Sequence, residues 1–323
     1  MKQKKILAFG LLLASCICNA NADSVVKQVK ATGVTTNYAQ TKYPIVFAHG
    51  LFGFGSAVGI DYFYQILPDL ARNGASVWNT TTSPINSSEV RGEQMLQQVE
   101  DVLALTGKDK VNLIGHSHGG QSVRYIQGVE PDKVASVTTI ASANQGAKLG
   151  DLVVDALLGN ILEKPARTIF DSLVSPVLIF AQGLNQKDFP SDAKGAALSL
   201  STAGSLAFNK SFPDGVPTSK CGEGSYQKNG TYFYSFMGNS AFNNVLDPFD
   251  YSATVTSLLI GNNGDNDGIV ARCDARFGKV IKDNYKWNHF DEINHMLGLK
   301  SIFAPSAVDV YRQHANRLKA QGL

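Results

Sequence analysis

"VNLIGHSHGG" (111–120) is an apolar, strand-like run that stops abruptly at Gly115-His116-Ser117-His118-Gly119. Gly115 and Gly119 flank Ser117 two residues away on each side, the pattern G-x-S-x-G. A buried strand must turn sharply into a helix here, and small residues on both sides let the backbone close up. The serine hydroxyl is then left exposed at the turn, in a nucleophile elbow. The following helix aims its first N–H groups at negative charge near that serine.

The surrounding pattern predicts what the elbow requires. "YPIVFAHG" (43–50), "SVWNTTT" (76–82), "KVNLIG" (110–115) and "KVASVTTIAS" (133–142) read as strands. Between them, helical periodicity runs over 61–74, with Gly74 as a C-cap, and over 87–107, ended by Gly107; 118–128 also reads as helical. Strands follow at 231–238 and, more weakly, at 279–284, and a last helix covers 305–322. Strands alternating with helices predict a mostly parallel sheet with helices on both faces.

The 323 residues are 44% hydrophobic and 17% charged, enough for one large α/β core. A formal charge of +2 with no basic block argues against nucleic acid as a partner. Residues 1–22 read as a signal peptide: Lys2, Lys4 and Lys5, an apolar run, then Ala20-Asn21-Ala22 as a cleavage site. That run is too short for a comfortable span, and no transmembrane segment is predicted in the mature chain. Export through the periplasm to the outside is the expectation. Leu13-Ala14-Ser15-Cys16 also resembles a lipobox, which would instead anchor the chain through a lipid on Cys16.

If the leader is removed, only Cys221 and Cys273 remain, and an exported pair reads as one disulfide rather than two free thiols. It would close a loop of about fifty residues, worth roughly 4 kcal/mol at most. Residues 23–323 read as a single domain with an insertion within about 149–220. Leu149, Leu152, Val153, Ala156, Leu157, Ile161 and Leu162 form one amphipathic set there; Phe170, Leu173, Val174, Val177, Leu178 and Phe180 form another. These are either core helices or a cap over a substrate cleft.

A serine nucleophile needs a base, and the chain order on this architecture is Ser, acid, His. His49 and His116 precede Ser117 or lie too early, His118 is beside it on the emerging helix, and His314 sits in the terminal helix. That leaves His289 and His295 in "WNHFDEINHMLG", with His289 favoured because it follows a strand-like run and a polar turn. Asp247, Asp250, Asp265, Asp267 and Asp283 are available as the acid. Asp267 in "DGIV" fits a carboxylate in a tight loop near Cys273. "NGDNDGIVARCD" (263–274) also resembles an EF-hand loop, but Asp274 stands at the bidentate position and no helix pattern precedes it. Two backbone donors are needed for an oxyanion. His118, after the nucleophile, supplies one, and Leu51 in "FAHGLFGFG" (47–55) the other.

"YPIVFAHGLFGF", "GHSHGG", "NDGIV" with the later Cys273, and "NHFDEINHMLGL" together resemble the bacterial family I true lipases, the Pseudomonas-type secreted triacylglycerol lipases. The resemblance implies an α/β-hydrolase fold with a helical lid near 160–185, a Ser117–Asp267–His289 triad, a Leu51/His118 oxyanion hole and a Cys221–Cys273 disulfide. It implies one structural Ca²⁺ on the carboxylates of Asp247 and Asp291 and the carbonyls of His295 and Leu299. It also implies a lipase-specific foldase chaperone as partner. The substrate would be a long-chain acyl ester at an oil–water interface, cleaved through an acyl-enzyme. A lidless carboxylesterase or thioesterase with the same triad is the alternative, and a non-catalytic binding protein on this scaffold a third reading. "ASANQGAKLGD" (141–151) departs from the Gly-Ala-Pro-rich version of the family, and His295 stands where the family often has Gln.

Overall fold

The structure is a computed structural model that describes residues 26–53, 56–57, 60–158, 188–295 and 297–323. The predicted leader, the 160–185 lid and the second amphipathic set of the insertion lie outside the described residues.

Strands β1 (Lys27–Val29), β2 (Ile45–Ala48), β5 (Val77–Asn79), β6 (Val111–His116), β7 (Val134–Ile140), β9 (Thr231–Gly238) and β10 (Lys279–Tyr285) form the main sheet. Their order is β1-β5-β2-β6-β7-β9-β10, and short β8 (Gln227–Lys228) pairs with β9. The β1–β5 and β8–β9 pairs are antiparallel and the rest parallel. Ser56–Ala57 (β3) and Ile60–Asp61 (β4) make a separate small hairpin. All six residues of β6 and all seven of β7 are buried, so neither strand shows the polar/apolar alternation of a half-exposed one, and the buried amide of Asn112 is satisfied inside by Ser136 and the Tyr43 carbonyl.

The sheet separates two apolar layers. Phe47, Ile114, Ile140 and Phe236 face one side, against Leu67 and Leu70 of α1 (Ile66–Arg72) and Tyr311 of the C-terminal helix α8 (Ala307–Ala320). Val46, Leu113, Val137 and Phe233 face the other, against Met95, Val99 and Val102 of α2 (Ser88–Thr106) and Val123 and Ile126 of α3 (His118–Val129). The alternation along each strand sends neighbours to opposite layers. Each large aliphatic chain buried this way contributes about 1.5–3 kcal/mol relative to exposure.

Helix α2 matches its sequence reading closely. Ser87 accepts the Val90 N–H as N-cap, and Gly107 closes the end at φ 64° with its N–H on the Leu103 carbonyl. α1 is shorter than the 61–74 periodicity predicts, because Gln65 takes φ 60° and the helix begins only at Ile66. The 133–142 strand ends at Ile140, where Ala141 turns to φ 44°.

One expectation is corrected. A helix does precede the 263–274 loop: α7 (Pro248–Ile260), capped by Asp247, with Pro248 in its first turn. Its Ser/Thr/Val-rich sequence is weak in helix propensity and leaves Tyr251, Val255 and Leu258 exposed, so no periodic signal marks it. Within the insertion, α4 (Lys148–Leu157), α5 (Ala193–Leu200) and α6 (Thr202–Ser211) are helical. No residue of α4 is buried, including Leu149, Leu152, Val153, Ala156 and Leu157, so it is not a core helix.

The chain passes from β2 sideways to β5, then crosses to β6 on the opposite flank of β2. Such a reversal opens a crevice outside the carboxyl ends of the two strands. Leu51 follows β2 and Ser117 follows β6 at that crevice.

Candidate active site

Ser117 links β6 to α3 with φ 55° and ψ −127°, a strained backbone for a residue with a side chain. The turn needs its glycines. A Cβ at Gly115 would lie 2.3 Å from the Gly119 carbonyl oxygen, and one at Gly119 would lie 2.4 Å from that of Ala48. Both obstacles are backbone, so neither can move aside. The crossing pins α3 against the end of β2 and brings the two crevice loops together. A Cβ at Gly50 would stand 2.7 Å from Ser117 Cβ.

His289 lies just after β10 and is buried. Its Nδ1 donates to Asp267 Oδ2 at 2.7 Å, and its backbone N–H donates to the Asp267 carbonyl. The other carboxylate oxygen of Asp267 accepts the N–H groups of Ile269 and Val270 at 2.8 and 2.7 Å. Asp267 is fully buried, so these three donors replace the water it gave up. The Cys221–Cys273 disulfide is formed and ties the loop carrying Asp267 to the segment before β8. His289 reaches the elbow by ring contact with His116, the residue before Ser117, at 4.5 Å between centroids.

The other candidates have separate partners. Asp265 pairs with Arg272 and Asn239, and Asp283 with Arg276 and Arg272. Asp250 accepts from Asn288 and from the backbone of Asn243 and Asn244. These bonds place Asp265 and Asp267 in unrelated roles and rule out an EF-hand arrangement of the loop. His295 is half-buried between the rings of Tyr62 and Tyr64. His314 is buried in α8 on Thr138 Oγ1. The His118 ring points away from Ser117 to Ser88 Oγ at 3.0 Å, and burial holds it well below the ordinary histidine range.

Leu51 N–H has no acceptor among the described contacts, and His118 N–H opens α3, where no preceding helical carbonyl can reach it. The Leu51 loop is fixed from beneath by Arg91 on α2. Fully buried, its guanidinium donates to the carbonyls of His49 at 2.6 Å, Gly50 at 3.2 Å and Ser83. Burial lowers Arg91 to about 10. His49 Nε2 accepts the Thr82 N–H, and burial with Arg91 nearby brings His49 down to about 3.

Three residues at this centre went unmarked in the sequence: Arg91, Tyr62 and Glu292. Glu292 Oε1 accepts the Gly238 N–H, and its Oε2 lies 3.3 Å from His116 Nε2 and 3.8 Å from His289 Nδ1. Tyr62 Oη shares a hydrogen bond with His116 Nδ1 at 2.8 Å. Burial, then the Asp267 carboxylate, pushes Glu292 well above the carboxylate range. Nothing local in "HFDE" or in a helix start marks such residues, because each also depends on a partner far away in sequence: Gly50 for Arg91, His116 for Tyr62 and for Glu292.

Asp247 and Asp291 are both buried, and each has one orphaned oxygen: Asp247 Oδ2 and Asp291 Oδ1 have no hydrogen-bond partner among the described residues. Burial raises Asp291 to about 7 and also raises Asp247. No described hydrogen bond uses the carbonyl of His295 or Leu299. Two unpaired buried carboxylate oxygens with free carbonyls are a hard-oxygen donor set, which fits Ca²⁺.

Residues 43–292 match the α/β hydrolase fold family. A triacylglycerol lipase of Vibrio cholerae is 46% identical over 98% of each chain. Triacylglycerol lipases of Burkholderia plantarii (36%, over 88% of each chain) and Pseudomonas fragi (35%, over 88% of this chain and 98% of that one) are also similar. Among solved structures, the mature lipase BlEst2 of Bacillus licheniformis superposes with a TM-score of 0.60 at 19% identity, covering 86% of this chain and 93% of that one. Sheet order, elbow and near-full-length similarity agree: the chain belongs to the α/β-hydrolase fold family, among the bacterial triacylglycerol lipases.

Proposed function

We propose that this chain is a secreted lipase that hydrolyses long-chain triacylglycerol esters through an acyl-enzyme on Ser117. The observation that carries the reading is the buried His289–Asp267 hydrogen bond beside a strained serine elbow. With its Nδ1 proton held by Asp267, neutral His289 has its lone pair on Nε2. That nitrogen takes the Ser117 proton as Oγ attacks the ester carbonyl, and Asp267 stabilises the imidazolium formed. The N–H groups of Leu51 and His118 receive the tetrahedral oxyanion, each worth about 2.7–4 kcal/mol. His289 then protonates the leaving alcohol, and water releases the fatty acid by the reverse sequence.

Asp247 and Asp291, with the carbonyls of His295 and Leu299, would hold a structural Ca²⁺. The ion supplies charge neutralisation there and braces the segment two residues from His289, without joining the chemistry. The leader sequence supports export, with lipid anchoring through Cys16 as the other route, and family membership supports a dedicated foldase as folding partner.

Ser117→Ala is expected to give a folded protein with almost no turnover of a p-nitrophenyl ester. Retained turnover would remove Ser117 from its role. The carboxylesterase or thioesterase reading is separated by substrate presentation. A lipase gains rate once triglyceride passes its solubility limit, as the unburied amphipathic α4 favours; an esterase does not.

A further inference from the structure

The reaction above uses His289 and Asp267 and leaves His116 and Glu292 without a chemical task. All four side chains are buried. One ligand-type atom from each of His116, His289 and Glu292 lies within 4.8 Å of the other two, the sole such group among the described residues. Glu292 Oε2 is the hub, at 3.3 Å from His116 Nε2 and 3.8 Å from His289 Nδ1. A tetrahedral zinc ion with bonds of about 2.0–2.1 Å to nitrogen and oxygen spans ligand–ligand edges of about 3.3 Å. Two of the three contacts already approach that edge.

We propose that His116, His289 and Glu292 form an inhibitory site for zinc and similar borderline divalent cations. Binding itself does not depend on the lipase reading; the inhibition does, because it rests on His289 as base.

The donor set is two imidazoles and one carboxylate, the combination that holds zinc with one coordination position left open. Asp267 Oδ2, 2.7 Å from His289 Nδ1, stands near that position. The doubly positive ion would meet the carboxylates of Glu292 and Asp267, so the buried charges balance. Burial keeps His116 neutral, as a ligand must be. Metal on His116 Nε2 sends its ring proton to Nδ1, where Tyr62 Oη at 2.8 Å accepts it and orients the ring. The Gly238 N–H on Glu292 Oε1 fixes that carboxyl while leaving Oε2 for the ion.

The consequence for catalysis follows from the tautomer. Metal on His289 Nδ1 moves that ring's proton to Nε2, and any proton on Glu292 leaves to solvent. An N–H at Nε2 cannot accept the Ser117 proton, so the base is lost while the fold stands. Ca²⁺, which prefers all-oxygen donors, does not compete for this site.

The test uses the full mature enzyme saturated with Ca²⁺. Zn²⁺ is titrated against esterase activity, and Co²⁺ serves as a spectroscopic probe. One Zn²⁺ per chain is expected to inhibit, and Co²⁺ is expected to show the visible bands of a tetrahedral site. His116→Gln and Glu292→Gln, each referred to its own metal-free activity, are expected to raise the inhibition constant at least about tenfold. Ser117→Ala is expected to keep the cobalt bands, which separates loss of chemistry from loss of metal. X-ray absorption on zinc-loaded wild type is expected to find two imidazoles and a carboxylate, and it decides the matter if a variant fails to fold. Absence of cobalt bands, a different zinc environment, or an unchanged inhibition constant in folded His116→Gln would overturn the site. Zinc bound there without inhibition would overturn its inhibitory action and, with it, the role of His289.

Discussion

His289 Nδ1 and Asp267 Oδ2 are 2.7 Å apart inside a pocket where Asp267 is fully buried and its second oxygen is held by two backbone N–H groups. The imidazole is thereby fixed in one tautomer. Asp267→Asn keeps the shape but presents an amide that can reverse that tautomer. Turnover is expected to fall by about 10³–10⁴-fold, the scale seen when a triad acid becomes an amide. Asp267→Ala is expected to lose less. Glu292 Oε2 is 3.8 Å from the same nitrogen, and removing Asp267 removes a charge that opposes its ionisation. Comparing kcat for the two variants checks this; equal losses would deny Glu292 any such part.

Arg91→Met removes three donors from beneath the Leu51 loop, at the carbonyls of His49, Gly50 and Ser83. The Gly50 carbonyl keeps the Gly53 N–H and His49 Nδ1, but the carbonyls of His49 and Ser83 are left buried and unpaired at about 1–3 kcal/mol each, so a drop in stability of about 3 kcal/mol is expected by urea unfolding. Activity is expected to fall further than the folded fraction does, by about 10²-fold in kcat, because a shift of about 1 Å displaces an oxyanion donor. A stable variant with wild-type kcat would show that the loop holds itself.

If Asp247 and Asp291 hold the proposed Ca²⁺, its removal leaves their orphaned oxygens buried without a counter-charge. A chelator is expected to lower the thermal midpoint, and Ca²⁺ at a hundred times its Kd to restore about 2.7 kcal/mol. Asp247→Asn is expected to unfold at a midpoint that neither chelator nor Ca²⁺ moves. Thermal scans of both proteins with and without chelator give the answer.

His314 is buried on Thr138, beside Arg317 and the ring of Tyr234. Burial, then the Arg317 charge, lowers it to about 3. The unfolded chain takes up this proton near pH 6.5 and the native state does not. Stability is therefore intact above pH 6.5 and falls as pH drops from there toward about 3. The loss from this one residue is about 2 kcal/mol at pH 5. His314→Gln is expected to remove that part of the slope, so its stability gap to wild type changes by this amount between pH 7.5 and 5. Parallel denaturant curves at the two pH values measure it.

Much of the architecture is legible in local sequence because its causes are local. β6 and β7 are mostly apolar or small because both faces are covered, and α2 carries its own start and stop in Ser87 and Gly107. The elbow is legible because two glycines at fixed spacing are required by backbone contacts a few residues away. Helix α7 escapes notice because its Ser/Thr/Val composition contradicts the helix that its Asp247-Pro248 cap and tertiary packing impose.

By itself the sequence determined the strand–helix alternation, the serine at the turn, and a short set of histidines and aspartates that could serve it. Only the tertiary structure decided which of them meet. Asp267 rather than Asp265 or Asp283 faces His289 because arginines occupy the other two. Arg91, Tyr62 and Glu292 depend on distant partners as well as near ones: Arg91 on Gly50, 41 residues away, Tyr62 on His116, 54 away, and Glu292 on His116, 176 away. Pairing across such distances is fixed by how the sheet is ordered and how its loops converge. A buried polar group must find its partner there, and no local pattern in the chain encodes which one it will be.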